Sequence, residues 1–123
     1  MEHKLIVIFG QPPDLLEFSQ GWQAFLLMAE QMPGLRRETV SLVEEMIYGK
    51  TRPFKIHEFY FDSRDALDAA LASDAGQQAG EWLHQFTGGN FTLLVAPHQS
   101  ATEKEIKRKF TPTKRKARTR SKP

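Results

Sequence analysis

Glu58 and Tyr60 stand two residues apart in the run Lys-Ile-His-Glu-Phe-Tyr-Phe, residues 55–61. In a strand, residues two apart share a face, so Ile56, Glu58 and Tyr60 project one way and His57, Phe59 and Phe61 the other. Phe59 and Phe61 are the better pair for a core beneath helices, which turns the carboxylate and the phenol towards the opposite side. Among apolar neighbours such a pair can hold the polar group of a ligand or move a proton. The competing assignment pairs Glu58 with Arg36 or Arg37 across a subunit interface and leaves Tyr60 to packing. Both residues are thus candidates for ligand contact, and for catalysis only as a weaker extension of it.

Other chemistries find less support. His57 reads as a hydrogen-bonded residue at the edge of the core, His84 as solvated beside Trp82 and Leu83, and His3 and His98 as residues at element ends. No set of histidines and carboxylates has metal-ligand spacing, so neither a metal nor a cofactor is expected. Gly88-Gly89 lacks the lysine and the strand-loop-helix setting of a phosphate loop and reads as a turn. The chain has no Gly-x-Ser-x-Gly and no cysteine nucleophile.

The elements that position Glu58 and Tyr60 follow from the pattern. Leu5 to Phe9 is an unbroken apolar run ending at Gly10, as in a strand buried on both faces. After Gln11-Pro12-Pro13, Asp14 can cap a helix whose stripe is Phe18, Trp22, Phe25 and Ala29, ended by Pro33-Gly34. Trp22 and Phe25 read as core. Leu35 to Val43 reads as a second strand, 44–54 as a long hairpin loop, and Lys55 to Phe61 as a third strand. Ser63 can cap a second helical region, broken near Ser73-Asp74, in which Ala79, Trp82, Leu83 and Phe86 recur at helical spacing. Phe91 to Ala96 is a final strand.

The order βαββαβ predicts an α+β, ferredoxin-like domain: a four-stranded antiparallel sheet with its helices on one face. Three strands are apolar on both faces, yet the helices cover one. An uncovered apolar face of several hundred Å2 exceeds what monomers usually leave open. A second copy in a two-fold homodimer is the most economical cover, and two facing sheets make a barrel.

Length and charge bound the rest. At 123 residues the chain is one domain by size. Its lack of cysteine fits a reducing, cytoplasmic compartment. No apolar run is long enough to cross a bilayer, and Met1-Glu2-His3-Lys4 leads into an apolar run with no small-residue cleavage site, unlike a signal peptide. The net charge of +2 conceals a division: residues 103–123 hold ten Lys/Arg and two Glu, leaving seven Lys/Arg against thirteen Asp/Glu in residues 1–102. The body is acidic and the tail basic. The tail (Lys107, Arg108, Lys109, Lys114, Arg115, Lys116, Arg118, Arg120, Lys122) is expected to be disordered beyond about Phe110. It could bind nucleic acid or another polyanion by counterion release, although it carries no recognisable nucleic-acid motif.

The segments LIVIFGQPPDLLEF, PGLRR, FYFDSRDALDAALASDAGQQAG and FTLLVA, in that order between about Lys4 and His98, resemble the EthD-like family of dimeric α+β barrels. The resemblance implies a ferredoxin-like subunit and a homodimer. Relatives in this superfamily act as small cyclases, isomerases and monooxygenases, and the family's namesake is linked to bacterial breakdown of an ether fuel additive beside an oxidising system. Two departures matter. Members usually place a histidine four residues after the first-helix tryptophan, where this chain has Leu26 after Trp22. Many carry an Asn-His pair on the second strand, where this chain has Ser41 and Leu42. If those histidines do acid-base work in relatives, this chain has lost it.

Strand two alternates Glu38, Val40 and Leu42 against Arg37, Thr39, Ser41 and Val43. Hydrophobicity puts Val40 and Leu42 under the helices, whereas the family alignment turns Glu38, Val40 and Leu42 towards the barrel. Following the alignment, the expected ligand pocket is Glu58, Tyr60, Ile56, Glu38, Val40 and Leu42. Its expected occupant is a small, mostly apolar or aromatic molecule.

Overall fold

The computed structural model describes residues 1–110. The chain runs β1 (His3–Phe9), α1 (Leu15–Ala29), β2 (Arg37–Leu42), β3 (Lys55–Phe61), α2 (Arg64–Ala72), α3 (Asp74–Thr87), β4 (Phe91–Pro97) and α4 (Glu103–Phe110). The four strands form one antiparallel sheet in the order β2-β3-β1-β4, the ferredoxin-like arrangement.

Local signals place each helix. The Asp14 carboxylate accepts from the Glu17 N–H at 3.0 Å, and Ser63 Oγ from the Ala66 N–H at 3.1 Å. Each satisfies a donor that the first helical turn leaves orphaned. Ser73 serves two helices, closing α2 through its N–H and capping α3 through Oγ. Gly21 lets α1 approach α3 closely: a Cβ there would stand 2.8 Å from Phe86, and Trp82 Nε1 donates to the Gly21 carbonyl at 2.8 Å.

The core lies between the helices and one sheet face. Leu5, Val7 and Phe9 of β1 and Phe59 and Phe61 of β3 meet Phe18, Phe25, Leu67, Ala70, Ala79 and Leu83, all buried. Phe9, Phe18, Phe25 and Phe86 form a web of edge-on and stacked rings with centroids 5.2–6.2 Å apart. The helices cover the two central strands and leave the rims open. Val40 and Leu42 on β2 are therefore 46% and 59% exposed, although they lie on the helix side.

One expectation changes. The second strand is shorter than the 35–43 its composition indicated. Before Phe110, beyond which disorder was expected, the basic segment forms a helix: Thr102 and Glu105 bond reciprocally, each backbone N–H to the other's side chain, at 2.8 and 3.2 Å. This capping box starts α4 despite the high charge of its later turns. Lys107 and Arg108 are exposed on α4. Lys114, Arg115, Lys116, Arg118, Arg120, Lys122 and the side chain of Lys109 lie outside the described residues. Among those described, no helix is long and apolar enough to cross a membrane.

Candidate functional site

The sheet face turned away from α1–α3 can be read row by row from the register. Arg37, Tyr60, Lys4 and Ala96 lie across one end of it. Thr39, Glu58, Ile6 and Leu94 form the middle row, and Ser41, Ile56, Ile8 and Thr92 the far one. None of the described elements covers this face. It is apolar along Ile6, Ile8, Ile56 and Leu94, with a polar cluster at one corner.

That corner is built from three strands and the segment after β4. Tyr60 Oη donates to Glu58 Oε1 at 3.1 Å and lies 3.4 Å from Thr39 Oγ1. Lys4 Nζ pairs with the same Glu58 oxygen. The Arg37 guanidinium stacks 3.7 Å above the Tyr60 ring, whose edge meets the His98 imidazole at 4.8 Å between centroids. Tyr60 is only 4% exposed as a result. The Lys4 ammonium holds the Glu58 carboxyl below the usual carboxylate range, aided by the Tyr60 hydroxyl and His98 and opposed by partial burial. Glu58 is thus anionic and already paired at neutral pH. That suits orienting a bound group, not abstracting a proton, since a useful base has a pKa nearer the working pH.

Glu58, Tyr60 and Ile56 share this open face, as their alternation indicated. Glu38, Val40 and Leu42 do not. They pair with Phe59, His57 and Lys55 and so point to the helix side, and their assignment to the pocket is corrected. Cross-strand partners share a face, and β2 carries polar residues in both alternating sets, so its facing is decided by the register with β3. Within the chain the ion-pair partner of Glu58 is Lys4, while Arg36 bonds Asp62 at 3.2 Å and Arg37 lies 3.6 Å from Glu2. Lys4, Thr39 and His98 complete the cluster without having been singled out for it in the sequence, and Arg37, named there only as a partner of Glu58 across a subunit interface, stacks on Tyr60 of its own chain. The sequence trace of Lys4 is that it falls in step with Ile6 and Ile8.

Glu38 belongs to a second group on the helix side. His57 is fully buried, stacked on Phe59 at 4.2 Å between centroids, and its Nε2 lies 2.7 Å from Glu38 Oε1. The neighbouring Glu38 carboxyl raises the Glu30 pKa, aided by desolvation. Lys55 lies 3.4 Å from the Trp22 ring centroid, where burial lowers its pKa. Burial, reinforced by the Lys55 ammonium and opposed by Glu30, pushes the His57 imidazole down to about 4. The neutral ring therefore donates through Nε2–H to Glu38, as expected of a core-edge histidine. Its Nδ1 is buried and without a partner.

This depressed pKa has a sign. The unfolded chain takes up a proton near pH 6.5 that the native ring refuses until about pH 4. Stability is whole above pH 6.5 and falls as the pH drops through that window, by about 3 kcal/mol. Urea unfolding at a series of pH values should show the fall in the parent and a flatter profile in His57→Gln. An identical slope in both would remove His57 as its cause.

Among the described residues no three His, Asp or Glu gather to hold a metal ion. A recess of about 170 Å3, lined by Gly10, Pro12, Asp14, Phe18, Phe86 and Asn90 among others, lies where the chain passes from β1 to α1 and from α3 to β4. It is smaller than the usual ligand site.

No family model matches the chain. It is 19% identical over 99 residues to the uncharacterized 11.0 kDa protein in the thcB-thcC intergenic region of Rhodococcus erythropolis, covering 80% of this chain and 96% of that protein. Among solved structures it matches an ethyl tert-butyl ether d (EthD) family protein of Bacillus halodurans C-125 at 26% identity. That match has a TM-score of 0.74 and covers 80% of this chain and 100% of the other. In fold and in sequence the chain is similar to this EthD family protein.

Remoter structures share the fold of this EthD-like chain. SnoaB, a cofactor-independent oxygenase from Streptomyces nogalater, superposes with a TM-score of 0.61 at 16% identity, over 83% of this chain and 97% of SnoaB. A dimeric ferredoxin-like protein from Jannaschia sp. CCS1 does so with a TM-score of 0.61 at 14% identity, over 80% of this chain and 100% of that protein.

Proposed function

We propose that two copies of this EthD-like chain join through their open sheet faces and hold a mostly apolar, aromatic-sized molecule between them. Glu58 and Tyr60 are its polar contacts and Ile56 part of its apolar wall. The observation that carries the reading is the polar corner beside the apolar stretch of Ile6, Ile8, Ile56 and Leu94 on a face that none of the described elements covers. The pairing of Glu58 with Lys4 and Tyr60 favours a binding or carrier role, with an isomerase, a cyclase or an accessory to oxidative, ether-degradation-type catabolism as the catalytic forms of the same site. That related structures are dimeric, and that one is a cofactor-independent oxygenase, is consistent with either form.

Native mass spectra of the full chain test the site. The dimer should retain a copurified molecule of a few hundred daltons. Glu58→Gln and Tyr60→Phe should each lower its occupancy as a roughly tenfold loss of affinity would, about 1.4 kcal/mol for a hydrogen bond to a charged group. Unchanged occupancy in both variants would dismiss the polar corner as the contact.

A second reading rests on the charge division: a non-catalytic interaction module whose dimer presents two basic tails to nucleic acid or another polyanion. Deleting residues 103–123 should abolish salt-sensitive binding to a DNA duplex under this reading and leave small-molecule retention intact under the first.

A further inference from the structure

We propose that the segment joining β2 to β3, residues 43–54, is an arm that packs on a second copy of the chain and closes one end of the cavity between the two sheets. This rests on the dimer reading above and adds to it a contribution from outside the sheet.

The arm is a built structure. Arg52 Nη2 donates to the carbonyls of Val43 and Glu44 at 3.1 and 3.0 Å, tying its two limbs together. The Val43 N–H bonds the Phe54 carbonyl at 3.0 Å, and the Phe54 N–H bonds the Phe9 carbonyl at 2.7 Å, anchoring the base to β1. Gly49 turns the tip with φ +146°, a value that side chains rarely adopt, and Met46 Sδ lies 3.1 Å from where a Cβ would stand. On this braced frame Ile47 and Tyr48 are 94% and 97% exposed. A braced turn that holds two large apolar side chains in water has the form of a contact awaiting its partner.

Three observations make that partner a second copy. The first is continuity. The return limb, Thr51 to Pro53, lines a recess of about 420 Å3 together with Ile8 and Thr92, the residues that end the open face. The second is area. Four strands about 4.8 Å apart, six residues long in β2 and seven in the others, give at about 3.3 Å per residue a footprint of roughly 430 Å2. A stable interface buries about 800 Å2 per partner. The face alone falls short, and a tyrosine of about 150–250 Å2 with an adjoining isoleucine makes up most of the difference. The third is symmetry. A two-fold that lays one open face on another lies in the plane between the sheets. It carries an arm projecting past the end of its own sheet over an end of the partner's, and does so twice.

The chain has no cysteine, so Tyr48→Cys supplies a unique attachment point for bimane, and Gln85→Cys on the exposed side of α3 a control. Acrylamide quenching of each label is followed from nanomolar to micromolar concentrations of the full chain. The expected result is quenching at position 48 that falls several-fold as dimer forms, with no change at position 85. Ile47→Ser/Tyr48→Ser, with unaltered circular dichroism, should weaken dimerisation at least tenfold, as loss of an interface anchor does. If the chain dimerises while label 48 stays as open as in the monomer, and the double variant dimerises normally, the arm proposal is overturned and the dimer reading stands. A parent chain that stays monomeric throughout overturns both.

Discussion

Leu94→Asp is expected to leave the chain folded and to break the proposed sheet-face dimer. Leu94 sits in the middle row of the open face and is 46% exposed in the single chain, so the monomer loses little by the exchange. In the proposed dimer the same side chain would lie between two sheets. An unpaired carboxylate desolvated there costs several kcal/mol per subunit, and the two-fold places it in the interface twice. Sedimentation equilibrium should show the dimerisation constant weakened by at least a hundredfold, about 2.7 kcal/mol. Circular dichroism and the urea midpoint at monomer concentrations should stay near those of the parent. A variant that dimerises as the parent does would mean that the open face is not the interface.

Gly76→Ala should produce the largest loss of stability from a single methyl group. Gly76 opens α3 where α2 folds back on it. A Cβ there would stand 2.2 Å from the Ala70 carbonyl oxygen and 2.8 Å from that of Leu71. Both obstacles are backbone, so relief requires the α2–α3 junction to shift, with loss of the double cap at Ser73. The cost is about 3 kcal/mol, equivalent to a fall in Tm of roughly 15 °C for a domain of this size. Gly80, one turn along the same helix, has nothing within 4 Å of such a Cβ. Gly80→Ala should instead stabilise by about 0.5–1 kcal/mol through helix propensity. Thermal melts of the two variants side by side check the pair, and equal shifts would refute the steric assignment at Gly76.

The parts of this fold legible in the sequence are those encoded locally. The third strand and its two faces could be read from one heptapeptide because Phe59 and Phe61 alternate with Glu58 and Tyr60. Asp14 and Ser63 marked their helix starts because capping needs only a side-chain oxygen at the right offset. The facing of β2 was not legible. Its six residues, Arg-Glu-Thr-Val-Ser-Leu, are exposed or half-buried at every position, and only pairing with β3 brings Glu38 to His57. The same limit hid most of the candidate site. Tyr60 is buried by Arg37 from β2 and His98 from beyond β4, contacts set by strand order that no stretch of sequence displays. The start of α4 was legible in Thr102 and Glu105, and was obscured by the density of lysine and arginine in the same segment.

A native mass spectrum of the gently purified full chain tests the central claim most directly. The expected result is a species of twice the 14.1 kDa chain mass, carrying an additional few hundred daltons that leave on denaturation. A monomer at micromolar concentration would contradict the claim, because the apolar face and the polar corner within it would then have no second sheet to enclose a ligand.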